Sequence, residues 1–199
     1  WFPLLAAVTL FTVAIAIFAR APESPLIRSF VNFAVPQSVL AFIQWGYRHA
    51  STMAEAQAWV DAGAFWPLIP ALLFTLALEI SRTDGTRPSV LLRNIMLPPA
   101  LVFTVLGFTT PSMRREAVST PYGFNDALPE SPLMYVALGW AGAVTLFVLV
   151  HMIVTLYRGD LSARRLSLSF LYGVGAVVVV NVIQDTISIL LAPDLPFLS

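Results

Sequence analysis

Six long apolar runs divide this chain, and each is of a length that a bilayer, rather than a soluble core, would surround. A spanning helix takes about 20 mostly apolar residues. By that measure the runs predict helices at about 2–19, 26–47, 58–80, 90–108, 132–157 and 164–191. The basic residues between them are all arginines, and they are divided unevenly. Eight flank the odd-numbered loops (Arg20, Arg28, Arg82, Arg87, Arg93, Arg158, Arg164 and Arg165), against three for the even-numbered ones (Arg48, Arg114 and Arg115). Arginine-rich short loops stay in the cytoplasm. The expectation is therefore an all-α, polytopic membrane helix bundle in a plasma (inner) membrane, with its first residue outside.

Composition agrees. The chain is 58% hydrophobic and only 11% charged, whereas a soluble domain carries about 25% charged residues. Lipid is the partner that this missing charge implies. A formal net charge of +0 offers nothing to nucleic acid and no polybasic anchor for lipid headgroups. With no cysteine, disulfides, iron–sulfur clusters and thiol chemistry are excluded. The chain starts at Trp1 rather than Met, as a trimmed, processed or excerpted sequence would. No basic region precedes the first run, which reads as a true helix and not as a signal peptide.

One loop stands out. Residues 109–131 form a long extracytoplasmic connection that carries Pro111, Pro121, Gly123 and Pro129, too dense in proline for a long helix, and long loops of this kind often serve a function. Asp160-Leu161-Ser162 supplies caps for the sixth helix. Pro36, Pro67, Pro70 and the Pro98–Pro99 pair fall inside predicted helices, where each removes a backbone donor and kinks the rod, so the bundle is expected to enclose a cavity. Gly139, Gly142 and Ala143 in the fifth helix, with Gly173, Gly175 and Ala176 in the sixth, allow these two to pack closely.

Polar residues at membrane depth mark sites or packing contacts, because lipid solvates them poorly. In the sixth helix Asn181, Asp185 and Ser188 share a face, with Gln184 beside them. Asp185 falls about two turns from the outer surface. The second helix runs the same way and brings Gln37 and Gln44, the latter near its outer end. Trp66, Tyr135 and Trp140 belong to the same half. These positions predict an outward-opening ligand pocket lined by Gln44, Trp66, Trp140, Asn181 and Asp185, lidded by the long loop. The competing reading has Asp185 hydrated at the interface, and Gln44 and Asn181 bonding between helices. A small apolar or amphiphilic ligand suits a tryptophan-rich wall.

The two histidines, His49 and His151, fall on opposite sides of the bilayer and cannot share a haem; His151 reads as a helix-packing residue. No zinc-protease, nucleophile-elbow or phosphate-loop motif occurs, nor a pair of membrane carboxylates. The chain is thus expected to be no enzyme, and to hold no metal or cofactor.

Several stretches resemble a known family. Phe30-Val31-Asn32-Phe33 through Trp45, the run Ala64-Phe65-Trp66-Pro67-Leu68-Ile69-Pro70, Thr120-Pro121-Tyr122-Gly123 with Ser131-Pro132-Leu133-Met134-Tyr135, and Arg164-Arg165 leading to Phe170-Leu171-Tyr172-Gly173 and Asn181 are similar to the N-terminal seven-helix sensor region of histidine kinases. The resemblance implies a sensory domain of a two-component signalling receptor, a homodimer, with catalysis in a separate cytoplasmic module. That family has seven helices and six are predicted here, so a seventh and an output domain are expected to follow Ser199. A small transporter or an accessory subunit of a membrane complex is the alternative, and a stop codon at that point would favour the subunit.

Overall fold

The computed structural model describes residues 2–81, 90–120 and 123–173. Helices dominate these residues, and four of the helical stretches are long and apolar enough to cross a membrane: Pro3–Arg20, Pro25–Arg48, Met53–Ile80 and Pro132–Arg158.

The first two helices, α1 (Phe2–Arg20) and α2 (Pro25–Arg48), form an antiparallel hairpin. Ser24 ends the turn between them by accepting a hydrogen bond from the Ile27 N–H, and Pro25 occupies the first helical position, where its missing donor costs nothing. The contact face is built from small side chains: Ala7 and Ala14 on α1, Ala34 and Ser38 on α2, all buried. This lets two backbones approach closely where lipid provides no hydrophobic drive. Much of the rest of α1, including Leu5, Phe11 and Ile15, faces outward, as a lipid-facing helix does.

The predicted third helix is not continuous. It divides into α3 (Met53–Ala62), a 3-10 turn at Gly63–Phe65, and α4 (Leu68–Ile80). Proline chemistry explains the break. The donor that would have bonded the Gly63 carbonyl belongs to Pro67, and the one for the Trp66 carbonyl belongs to Pro70. Gly63 instead accepts from the Trp66 N–H at 3.1 Å, and Trp66 from the Ile69 N–H at 3.1 Å. Below the break, α4 is the hub of the bundle, packed on α2, on α5 (Val90–Thr109) and on α6 (Pro132–Arg158). Its Ala71, Leu73, Phe74, Leu76, Ala77, Leu78 and Ile80 are all buried, so it is apolar around its circumference. Against it α6 presents Val144, Val148 and Met152, while Met134 and Ala137, nearer the start of the same helix, pack with Met113 and with Phe103 and Leu106 of α5.

The long loop is also more ordered than its prolines suggest. After a 3-10 turn at Pro111–Met113 it forms an antiparallel hairpin, β1 (Glu116–Thr120) with β2 (Gly123–Ala127), in which Thr120 pairs with Gly123 and Glu116 with Ala127. Ser131 then caps α6, accepting from the Met134 N–H at 3.1 Å, while its hydroxyl donates to the Ser112 carbonyl. The hairpin and α3 sit together over the end of the bundle where α2 stops and α6 starts, a cap on that end. Residues 161–173 are helical beyond α6, with Asp160 accepting from the Ala163 N–H at 2.7 Å and from the Ser162 hydroxyl at 3.0 Å. The exposed Asp160 carboxyl is held below the usual carboxylate range, first by the Ala163 N–H and then by the Ser162 hydroxyl. The remainder of the predicted sixth helix lies outside the described residues.

Candidate binding cavity under the cap

The cap is assembled by polar side chains that join segments far apart in sequence. Gln57 on α3 acts as an extra strand partner: its Nε2 donates to the Arg115 carbonyl at 3.0 Å and its Oε1 accepts from the Ala117 N–H at 2.8 Å. Arg114 forks onto Asp61, with Nε 2.9 Å from Oδ1. Arg115 donates from Nη1 to Asp126 Oδ2 at 2.6 Å and from Nη2 to the Gly63 carbonyl at 3.1 Å. The Tyr47 hydroxyl donates to the other oxygen of Asp126 at 3.0 Å. Asp126 on β2 thereby ties α2 to the residue that precedes β1.

Apolar packing reinforces these bonds. Ile43 and Tyr47 of α2, Ala56 and Val60 of α3, and Ala117 of β1 form one buried cluster, flanked by Trp59, Phe65 and Phe124. Two glycines permit the close approach. A Cβ on Gly46 would lie 2.5 Å from the Trp59 ring. Gly123 has φ +117°, in the region that favours glycine, and a Cβ there would overlap the Arg48 carbonyl oxygen at the end of α2.

Beneath the cap lies a cavity of about 230 Å³. Its polar side is formed by Gln44, Tyr47 and Arg115, and its apolar side by Leu40, Ile43, Trp66, Leu128 and Leu138. Five separate stretches contribute: α2, the break before α4, the residue before β1, the segment after β2, and α6. The cavity reaches Leu40, about two turns down α2 from Arg48, so it extends into the bundle. Gln44 is exposed and has no hydrogen-bond partner among the described residues. Arg115 lines the cavity and is paired with Asp126, the two side chains being 17% and 19% accessible.

Of the five residues predicted from sequence, Gln44 and Trp66 meet in this cavity. Trp140 does not line it. Its ring packs on Phe103 at 5.6 Å and against the core around Phe74 and Val144. The reason is angular: Leu138 supplies the α6 wall, and two residues further on a helix points about 200° away. Asn181 and Asp185 lie outside the described residues. The long loop contributes Arg115 and Leu128 to the lining. Sequence reasoning missed Tyr47 and Arg115 as lining groups. Tyr47 reads as an interfacial aromatic and Arg115 as a topology signal, and their shared partner Asp126 is distant in the chain.

The histidines serve locally. His151 Nε2 lies 2.7 Å from Ser81 Oγ, joining α6 to the residue after α4. His49 Nδ1 lies 2.9 Å from the Trp45 carbonyl oxygen at the capped end. Among the described residues no cluster of three or more His, Cys, Asp or Glu is arranged to hold a metal ion.

The fold and cavity define a helical bundle of membrane-spanning length with a capped, amphipathic cavity at one end. Comparison of the chain with protein-family models, curated proteins and solved structures returns no match.

Proposed function

We propose that this chain is the membrane-embedded sensory domain of a signalling receptor, of the histidine-kinase type that its sequence resembles. In this reading the chain crosses a plasma membrane six times, with the first residue and the cap outside and the output module in the cytoplasm. The observation that carries the reading is the cavity. A subunit that only packs against partner helices needs no cavity walled by five segments, whereas a sensor needs a place where a ligand touches several movable elements at once. Occupancy then shifts output in proportion to its differential affinity for the two arrangements. The break at Gly63–Pro67 sits in that wall and begins α4, the helix that touches α2, α5 and α6. The distribution of arginines supports the orientation: Arg20, Arg28, Arg158 and Arg164 lie at the end opposite the cap.

The test follows the gene past the codon for Ser199 and assays its product. A further crossing, a phosphoacceptor-histidine module and an ATP-binding module are expected there. In membranes, autophosphorylation of that product responds to the signal, and Gln44→Leu or Trp66→Ala shifts the response. A native gene that stops at this codon, or a response that neither variant alters, overturns the receptor reading.

A further inference from the structure

We infer that the cavity selects an uncharged amphiphile, an aliphatic chain ending in a hydroxyl or amide, and rejects anions and cations of the same chain. This rests on the reading of the cavity as a ligand site and adds the chemistry of its occupant.

Arg115, the charged side chain that lines the cavity, is already paired with Asp126. Arg115 Nη1 bonds Asp126 Oδ2 at 2.6 Å, and the other Asp126 oxygen accepts a hydrogen bond from the Tyr47 hydroxyl at 3.0 Å. An anion placed beside Arg115 would have to compete with the Asp126 carboxylate already bonded to that guanidinium. A cation would meet an aspartate whose two oxygens are both engaged. Either leaves a charge uncompensated in a poorly solvated wall, the expensive case for buried ions. An ordinary arginine-lined site invites a carboxylate; this one has its carboxylate built in.

What the wall leaves open is neutral hydrogen bonding. The Tyr47 hydroxyl donates to Asp126 and also lies beside the Arg48 side chain, so it is already engaged. Gln44 has neither its amide donors nor its carbonyl engaged among the described residues. A hydroxyl or amide, which both donates and accepts, satisfies both sides of the Gln44 amide. Leu40, Ile43, Trp66, Leu128 and Leu138 then surround an apolar chain. The 230 Å³ cavity is larger than an apolar cavity of about 150 Å³ that takes up benzene, room for a short chain or the head of a longer one.

The experiment uses the chain in phosphatidylcholine nanodiscs and three probes with one brominated nine-carbon chain: ω-bromononanol, the ω-bromononyl sulfonate and the ω-bromononyl trimethylammonium. Bromine quenches nearby tryptophan, and the difference between wild type and Trp66→Phe isolates quenching at the cavity from quenching by probe dissolved in lipid. Saturable Trp66-dependent quenching is expected with the alcohol, with the sulfonate and ammonium weaker by about tenfold or more. Gln44→Leu weakens the alcohol by about fivefold, the loss of one hydrogen bond. Gln44→Glu reverses the order towards the ammonium. A sulfonate or ammonium that binds as tightly as the alcohol overturns the inference and leaves the cavity standing as a site. Alcohol binding unaltered by Gln44→Leu also overturns it. Absence of saturable Trp66-dependent quenching by all three probes overturns the binding-site reading itself.

Discussion

Arg115 and Asp126 are eleven residues apart in sequence, on the two sides of a hairpin, and their side chains meet at 2.6 Å within a cap that also holds Tyr47 and the Gly63 carbonyl. Removing one partner strands the other. Arg115→Ala or Asp126→Ala is expected to destabilise the cap by about 2–3 kcal/mol, below the figure for a fully buried pair because both groups keep some water. The double variant Arg115→Met with Asp126→Leu should recover much of that loss, because an apolar pair leaves no unpaired charge. Thermal unfolding in one detergent, with all corners of the cycle, decides. If the double variant loses as much as the two single ones together, the pair does not act as a unit.

Two glycines of the same chain should respond in opposite ways. Gly123→Ala forces a side chain into φ +117° and onto the Arg48 carbonyl oxygen, a cost of about 1–3 kcal/mol from backbone strain alone. Gly139 lies inside α6 with nothing within 4 Å of an added Cβ, so Gly139→Ala should be neutral or add up to about 1 kcal/mol of helix stability. Limited proteolysis reads the first, with faster cleavage expected in the hairpin. Equal protease resistance in the two variants would show that the hairpin does not depend on its seat against α2.

The cap of the last described helical segment gives a pH dependence with a defined sign. Asp160 has its pKa lowered in the folded chain, by the Ala163 N–H first and the Ser162 hydroxyl second. A depressed carboxylate stabilises above its unfolded pKa, about 3.9, and that contribution is lost as pH falls through the lower folded value. Protection of the amides of residues 161–173 against hydrogen exchange, taken relative to the intrinsic rate at each pH, should therefore fall on acidification within that acid window and stay level above it. Asp160→Asn keeps a capping oxygen but cannot titrate, so its protection should be flat over the same window. A matching acid response in this variant would remove Asp160 as the cause.

The extent of the helices was legible because hydrophobic length is a local property. The ends predicted for the first, second, fourth and fifth runs agree within a few residues with α1, α2, α5 and α6. The third run hid its break, since Trp66-Pro67 is apolar by composition and only the loss of donors at Pro67 and Pro70 divides it. The hairpin was hidden for a related reason. Pro111, Pro121 and Pro129 argue against a helix, but they flank two short strands whose Ala-Val-Ser-Thr run and following Gly123 are an ordinary hairpin signal. That Gln44 and Trp66 line one cavity could be anticipated because polar and aromatic residues near a helix end stand out singly. Tyr47 and Arg115 acquire their role through Asp126, and such a meeting of distant residues leaves no mark on periodicity.

The break at Gly63 supplies the sharpest test of how the cap holds the bundle. A Cβ at this position would sit 2.6 Å from Arg115 Nη2, so Gly63→Ala requires the guanidinium to swing away and surrender its bond to the Gly63 carbonyl. The methyl itself is small, so the loss should come through Arg115, and should largely vanish in an Arg115→Ala background. Contacting residues of this kind show coupling of about 0.5–3 kcal/mol in a double-mutant cycle. Pro67→Ala makes the contrasting case. It restores an N–H, yet Gly63 already accepts from Trp66 and Arg115, and Pro70 still denies the Trp66 carbonyl its helical donor. The break should persist, with little change in unfolding temperature or helical circular dichroism. Full additivity of Gly63→Ala with Arg115→Ala would mean that the break is set by its prolines alone, without a grip from the cap.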